Sequence, residues 1–358
     1  MRNFVRRHFD LLFVVVFFAL GMLLLWVPPR WDEGIYLSLA NKVVLNPLNP
    51  WQYPDYYNMV RDSVPSPPLL WYLVALFYPL PRMAPLLVSI FAVIYLFYAS
   101  KRLYGRGVAG LAAAALVTNW LYMICSFIIF TDGVVSAFMG IAVVSFLCWA
   151  NLKEKKFLLF CGLGLALAST TKYTAAPILL VTFLVWLIIL RKSFSESEVL
   201  QLFSVVAVSL IPTTYWVYQL SQFYGNPLLH YGARFELFPS DYFFFPLVNI
   251  VYYLPWVFTL VEFQWIAWLR QRQFDSNSKL ILIYAAIVIG FFSLLNAQQF
   301  RYLLPMVPPL SIVSALNLVK EKPTVRFSIL LAQLVCGVII TIVALVLYVF
   351  QTYPYRSF

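Results

Sequence analysis

The chain has 358 residues, 63% of them hydrophobic and 11% charged, with a mean hydropathy of +0.84. Soluble domains are nearer half apolar and a quarter charged, so this composition excludes a soluble globular fold and predicts a polytopic membrane protein. A net charge of +11 would suggest nucleic acid for a soluble protein. Here its distribution across a bilayer matters more, and no nucleic-acid partner is expected.

The first segment, "MRNFVRRHFDLLFVVVFFALGMLLLWV", is basic and then apolar over about a span's length. No small-residue cleavage site follows, so it reads as an uncleaved first span. Further apolar runs begin near Pro85, Gly107, Gly133, Phe157, Thr174, Val199, Phe245, Leu280, Tyr302 and Phe327. Together they predict an all-α fold of about eleven transmembrane helices. The run "PPLLWYLVALFYPLP", Pro67 to Pro81, is shorter and bracketed by prolines, which suits an interfacial or re-entrant helix.

Charge fixes the register. With that short run left out and the N-terminus in the cytoplasm, the inner loops collect Lys101, Arg102, Arg106, Lys153, Lys155, Lys156, Arg191, Lys192, Arg270, Arg272, Lys279, Lys320, Lys322 and Arg326. Only Arg30, Lys42, Arg61, Arg82, Lys172, Arg234, Arg301 and Arg356 fall outside, as the cytoplasmic bias of Lys and Arg requires. Counting the short run as a span would turn most basic loops outward. The chain thus reads as one transmembrane domain, 1–358, of a plasma or inner membrane, with its C-terminus outside. A long outer loop covers 28–84 and a second covers 221–244. No internal repeat is visible. The four cysteines, Cys125, Cys148, Cys161 and Cys336, lie in apolar runs without a CxxC and read as small buried hydrophobes.

The outer side carries the candidate chemistry. Asp32 and Glu33 follow the first span and open a segment with apolar residues at Ile35, Tyr36, Leu39, Ala40, Val43 and Val44. That spacing predicts an amphipathic helix lying on the membrane surface, with Asp32 turned toward its membrane side. Helix capping is the plain alternative; it accounts for one acid better than for two. Asp132 sits alone between two apolar runs, costly unless partnered, with a helix cap again the plain alternative. Lys172 and Arg301 sit in very short outer turns, where they either snorkel to headgroups or hold an anionic group. The aromatic run "NPWQYPDYYNMV" suits sugar stacking or an interfacial belt equally. Carboxylates suit a divalent cation such as Mg²⁺ or Mn²⁺, but no ligand set emerges, and His230 reads as a surface residue.

In this order, "WDEGIY", "SPPLLWYL", "TDGVVSAF", "TTKYTAAPILL" and "FRYLLPMVPPLSI" resemble the glycosyltransferase C-type superfamily. The likeness is to the branch of protein O-mannosyltransferases, aminoarabinose transferases and lipopolysaccharide-core glycosyltransferases, and it runs from the N-terminus to about Ser314. It implies an inverting transfer of a sugar from a polyprenyl- or dolichyl-phosphate donor to an acceptor hydroxyl on the outer or lumenal face. By this resemblance Asp32 matches the catalytic acid of the first loop, Glu33 its partner, and Asp132 the second-loop acid. Lys172 and Arg301 match basic positions near the donor phosphate, and Ser66, Tyr173 and Tyr302 lie within the same motifs as candidate substrate contacts. Glu33 would orient the acceptor or Asp32, and Asp132 would position a cation or a sugar hydroxyl. Two departures count against a family-type metal site and a close likeness to aminoarabinose transferases. Ser66 stands where many relatives have Lys or His, and Pro65 where those transferases have an acid. The extra C-terminal domain of many relatives is not expected from the residues after Ser314. The expected partners are the lipid-phosphate sugar, membrane lipid, and a glycolipid, glycan or protein acceptor. A lipid-linked sugar transporter or flippase, or a non-catalytic assembly subunit, are the rival readings.

Overall fold

The computed structural model of the protein describes residues 2–26, 32–48, 67–224, 274–293 and 300–350. Among these residues there are helices and short turns, and no strand. The helices are α1 (Arg2–Leu24), α2 (Asp32–Leu45), α3 (Leu69–Leu76), α4 (Met83–Tyr104), α5 (Arg106–Thr118), α6 (Trp120–Phe127) and α7 (Thr131–Leu152). They continue with α8 (Lys155–Ser169), α9 (Ala175–Ile189), α10 (Glu196–Tyr224), α11 (Ser276–Ser293), α12 (Val307–Leu318) and α13 (Pro323–Phe350). A 3₁₀ stretch, Phe300–Met306, leads into α12. Every expected span but one falls on a helix; the one near Phe245 lies outside the described residues. Met83–Tyr104, Thr131–Leu152, Glu196–Gln219, Ser276–Ser293 and Pro323–Val343 are each long and apolar enough to cross a bilayer. The chain is an integral membrane protein.

The bundle is built around α7, whose apolar core window is 94% buried, while α10 and α13 are largely exposed along its rim. Small residues set the central contacts, as close helix packing in lipid requires. At Gly164 of α8, an added Cβ would lie 2.7 Å from Ala142 N and 2.9 Å from Phe138 O of α7, so no side chain fits there. At the far end of α7, Phe146 stacks on Phe183 of α9 with ring centroids 5.0 Å apart. Cys125, Cys148 and Cys161 are buried as expected, but Cys336 is exposed, on the outer side of α13.

Two expectations need correction. The run near Gly107 is not one straight span: it breaks at Asn119, and α5 and α6 meet at a 67° bend. A break inside a bundle needs its backbone groups satisfied. Asn119 Oδ1 accepts from Leu121 N and Tyr122 N, both at 3.1 Å, so it caps α6. Thr118 Oγ1 donates to Ala114 O at 2.8 Å, and Gln333 Nε2 of α13 donates to Ala115 O at 3.5 Å. The sequence signal was there: an Asn directly before an apolar run is a helix start.

The second correction concerns α2. Most of its apolar stripe is covered by protein, with Val44 left 50% exposed. Tyr36, Leu39, Ala40 and Val43 are all buried, against α3, whose Leu70, Trp71 and Val74 are buried in turn. The proline-bracketed run provides an apolar protein partner, so most of the stripe is covered by chain rather than membrane. At eight residues, α3 is only about 12 Å long and cannot span, as expected. Leu69 N donates to Thr170 O at 3.1 Å and Tyr72 Oη donates to Pro47 O at 2.8 Å, fixing α3 to the α8–α9 turn and to the end of α2.

The two ends of α7 differ in character. At its C-terminal end, Glu154 pairs with Arg102 and with Lys156 (2.6 Å), and Lys153 pairs with Glu198 at 3.1 Å. Tyr104 Oη donates to Asp275 Oδ2 at 3.1 Å and Asn151 Nδ2 donates to Asn277 Oδ1 at 2.9 Å. These are exposed loop contacts among the clustered Lys and Arg. The N-terminal end, about 33 Å away along the helix, is where the outer-side motifs converge.

Candidate active site

Asp132 sits in the first turn of α7, where the free N–H groups and the helix dipole favour a carboxylate. It is only 4% exposed, so its charge must be matched within the protein. Lys172, from the turn between α8 and α9, places Nζ 2.6 Å from Asp132 Oδ1. Arg301, in the 3₁₀ stretch, places Nε 3.3 Å from Asp132 Oδ2. Two cations therefore converge on one carboxylate. Aromatic rings back both cations: Lys172 Nζ lies 4.1 Å from the Tyr302 ring centroid and the Arg301 guanidinium 4.7 Å from that of Phe130. Tyr302 in turn stacks on Phe292 at 5.1 Å.

Local sequence explains why these groups meet. Gly133 is obligatory beside Asp132, because an added Cβ would lie 2.1 Å from Cys125 O, inside any allowed contact. That close approach seats the end of α6 on the start of α7. Ser136 Oγ donates to Leu304 O at 3.0 Å and Tyr284 Oη donates to Pro305 O at 3.1 Å, so α7 and α11 grip the 3₁₀ stretch that carries Arg301.

Glu33 forms a second cluster at the same end. It is 3% exposed and takes a two-point contact from Arg82, Nε to Oε1 at 2.9 Å and Nη2 to Oε2 at 2.7 Å. Ile129 N also donates to Glu33 Oε1 at 3.0 Å, three residues before Asp132. Arg82 Nη1 donates to Leu24 O at 2.9 Å, at the end of α1. The structure thus brings Asp132, Lys172, Arg301 and Tyr302 into one contact group and sets Glu33 beside it through Ile129. Tyr173 is buried and hydrogen-bonds with Trp216. Asp32 opens α2, directly before Glu33, but its carboxylate lies outside the described residues, as do Ser66, His230 and the run "NPWQYPDYYNMV". Among the described residues, no three His, Cys, Asp or Glu side chains gather as a metal site. Arg82 is the residue the sequence did not single out. It counted only as an outer cation, because its partner is 49 positions away.

Residues 66–216 match the family model described as dolichyl-phosphate-mannose-protein mannosyltransferase. ArnT from Cupriavidus metallidurans in the apo state is similar over 96% of this chain at 19% identity and a TM-score of 0.66. The same protein bound to undecaprenyl phosphate is similar over 91% of the chain at 18% identity and a TM-score of 0.67. The chain spans 66% and 63% of those two chains. A search of curated proteins returns no match. The chain has the glycosyltransferase C-type fold, in line with the resemblance in its motifs.

Proposed function

We propose that the protein is an inverting glycosyltransferase that takes a sugar from a polyprenyl- or dolichyl-phosphate donor. The observation that carries this is the buried Asp132–Lys172–Arg301 group at the membrane end where Glu33 and the start of α2 also sit. It brings a Lys and an Arg side by side, and Lys and Arg are the natural ligands of phosphate oxygens. The mannosyltransferase family model and the ArnT structure bound to undecaprenyl phosphate support the same class of donor. The clustered Lys and Arg at the opposite end argue that the site faces the outer or lumenal side.

In this reading the acceptor hydroxyl oxygen attacks the anomeric carbon as the bond from that carbon to the phosphate oxygen breaks. Asp32 takes the hydroxyl proton, a contribution of typically two to four orders of magnitude. The leaving lipid phosphate keeps the electron pair of the broken bond, and Lys172 and Arg301 stabilise its charge. Asp132 holds those two cations in place, so no reorganisation is needed as charge develops. Both oxygens of Glu33 are engaged by protein donors, so Glu33 offers no open metal ligand in this arrangement. Whether Mg²⁺ or Mn²⁺ contributes is read from activity after chelation.

The deciding experiment reconstitutes the purified protein in vesicles with a polyprenyl-phosphate donor carrying labelled sugar. Release of polyprenyl phosphate together with label on an acceptor is expected. Label crossing the bilayer still attached to its lipid would establish the flippase reading instead.

A further inference from the structure

Resting on that reading, we infer that Arg82 is a positioning residue of the site, which acts through Glu33 to set where the Asp32 helix begins relative to Asp132. Arg82 is 2% exposed, directly before α4, and its guanidinium joins two other segments among the described residues. Nη1 holds Leu24 O, the last residue of α1, while Nε and Nη2 hold both oxygens of Glu33, the second residue of α2. Glu33 Oε1 then accepts Ile129 N from the linker before α7. The end of α1, the start of α2 and the approach to Asp132 are thereby tied at one buried point.

The geometry assigns Glu33 a holding role. Both Glu33 oxygens are already taken by N–H donors of Arg82 and Ile129, so proton removal falls to its neighbour Asp32. Stability alone does not call for the pair. Buried ion pairs can often be replaced by apolar residues without loss of stability, and their best-attested benefit is a fixed register. Here the register has a use, because Asp32 is one residue from Glu33 and Asp132 three from Ile129. Lysine at position 82 would keep the charge but not the planar fork that binds two oxygens at once.

The test is Arg82→Lys in the full-length protein, with Glu33→Gln as the second variant. Turnover should fall in both, on the order of 100-fold for a displacement near 1 Å, while affinity for undecaprenyl phosphate stays at the wild-type level. Hydrogen–deuterium exchange should quicken at residues 34–38 and at Ile129 and not elsewhere in the bundle. Unchanged turnover in Arg82→Lys overturns the proposal. A parallel loss of turnover, donor affinity and melting temperature, or failure of both variants to fold, also overturns it by making the pair a general fold element. If the wild-type protein transfers no sugar, the proposed function fails by itself, and the exchange readout still reports whether Arg82 tethers α2.

Discussion

Asp132→Asn separates the charge role of Asp132 from its shape. The amide keeps the size of the carboxyl but removes the negative charge that lies between Lys172 and Arg301. Their ion pairs with Asp132 are at 2.6 Å and 3.3 Å, and the acid is 4% exposed, so solvent cannot take its place. Removing one partner of a buried pair costs about 3 to 5 kcal/mol. Arg301 is partly exposed, which places the expected loss near the lower figure. The variant should therefore melt several degrees below wild type in detergent or nanodiscs. It should also respond more strongly to lipid phosphate, because an incoming phosphate supplies the missing negative charge. The expected result is a larger thermal shift with undecaprenyl phosphate in Asp132→Asn than in wild type, together with low turnover as the cations lose their fixed positions. An equal or smaller shift would refute the idea that Lys172 and Arg301 face the phosphate.

The remaining predictions address the other parts of the site. Asp32→Asn should keep donor binding and lower turnover at least about a hundredfold, the low end for losing a general base; near-full turnover in the folded variant would leave Asp32 as a helix cap. Lys172→Ala and Arg301→Ala should each weaken donor binding by about 1.5 to 3 kcal/mol, the usual size of a charge-assisted hydrogen bond, which isothermal titration with undecaprenyl phosphate would detect. Gly133→Ala should fail to reach the folded state, since its Cβ would meet Cys125 O at 2.1 Å; wild-type expression and melting would contradict the close approach of α6 and α7. At the basic end, the Lys156 hydrogen bond holds the Glu154 carboxyl below its ordinary value. Depressed carboxyls stabilise the fold above their unfolded pKa of 4.5 and lose that effect as pH falls through the folded value. Glu154→Gln should thus narrow the melting difference between neutral pH and pH below 4.5, and an unaltered difference would remove this pairing from the stability of the loop.

Much of the bundle was legible because bilayer thickness constrains apolar run length so tightly. The runs near Pro85, Gly133, Val199, Leu280 and Phe327 all became helices able to cross a bilayer, and Pro67 to Pro81 became an eight-residue helix that cannot. What failed were judgements about what covers a surface. The α2 stripe has the spacing of a membrane-lying helix whether its partner is lipid or α3, so periodicity alone could not choose between them. The break at Asn119 was missed because apolar content continues through it unchanged and only one polar side chain marks the bend.

The site divides along the same line between local and non-local information. Asp132, Lys172 and Arg301 each stood out, because an isolated charge at the end of an apolar run is expensive wherever it occurs. Their meeting did not, since Lys172 lies 40 positions from Asp132 and Arg301 comes from the far end of the chain. Lone charges at span ends on one side of a bundle must nevertheless be matched by one another, by headgroups or by a ligand. With Lys172 8% exposed, lipid headgroups are not its main partner, and matching within the protein is what remains. Asp132 draws Lys172 and Arg301, from distant parts of the chain, to one point, and cations placed together suit phosphate oxygens. The Arg82–Glu33 pair is a different device, a two-point contact that ties the start of α2 to the residue before α4.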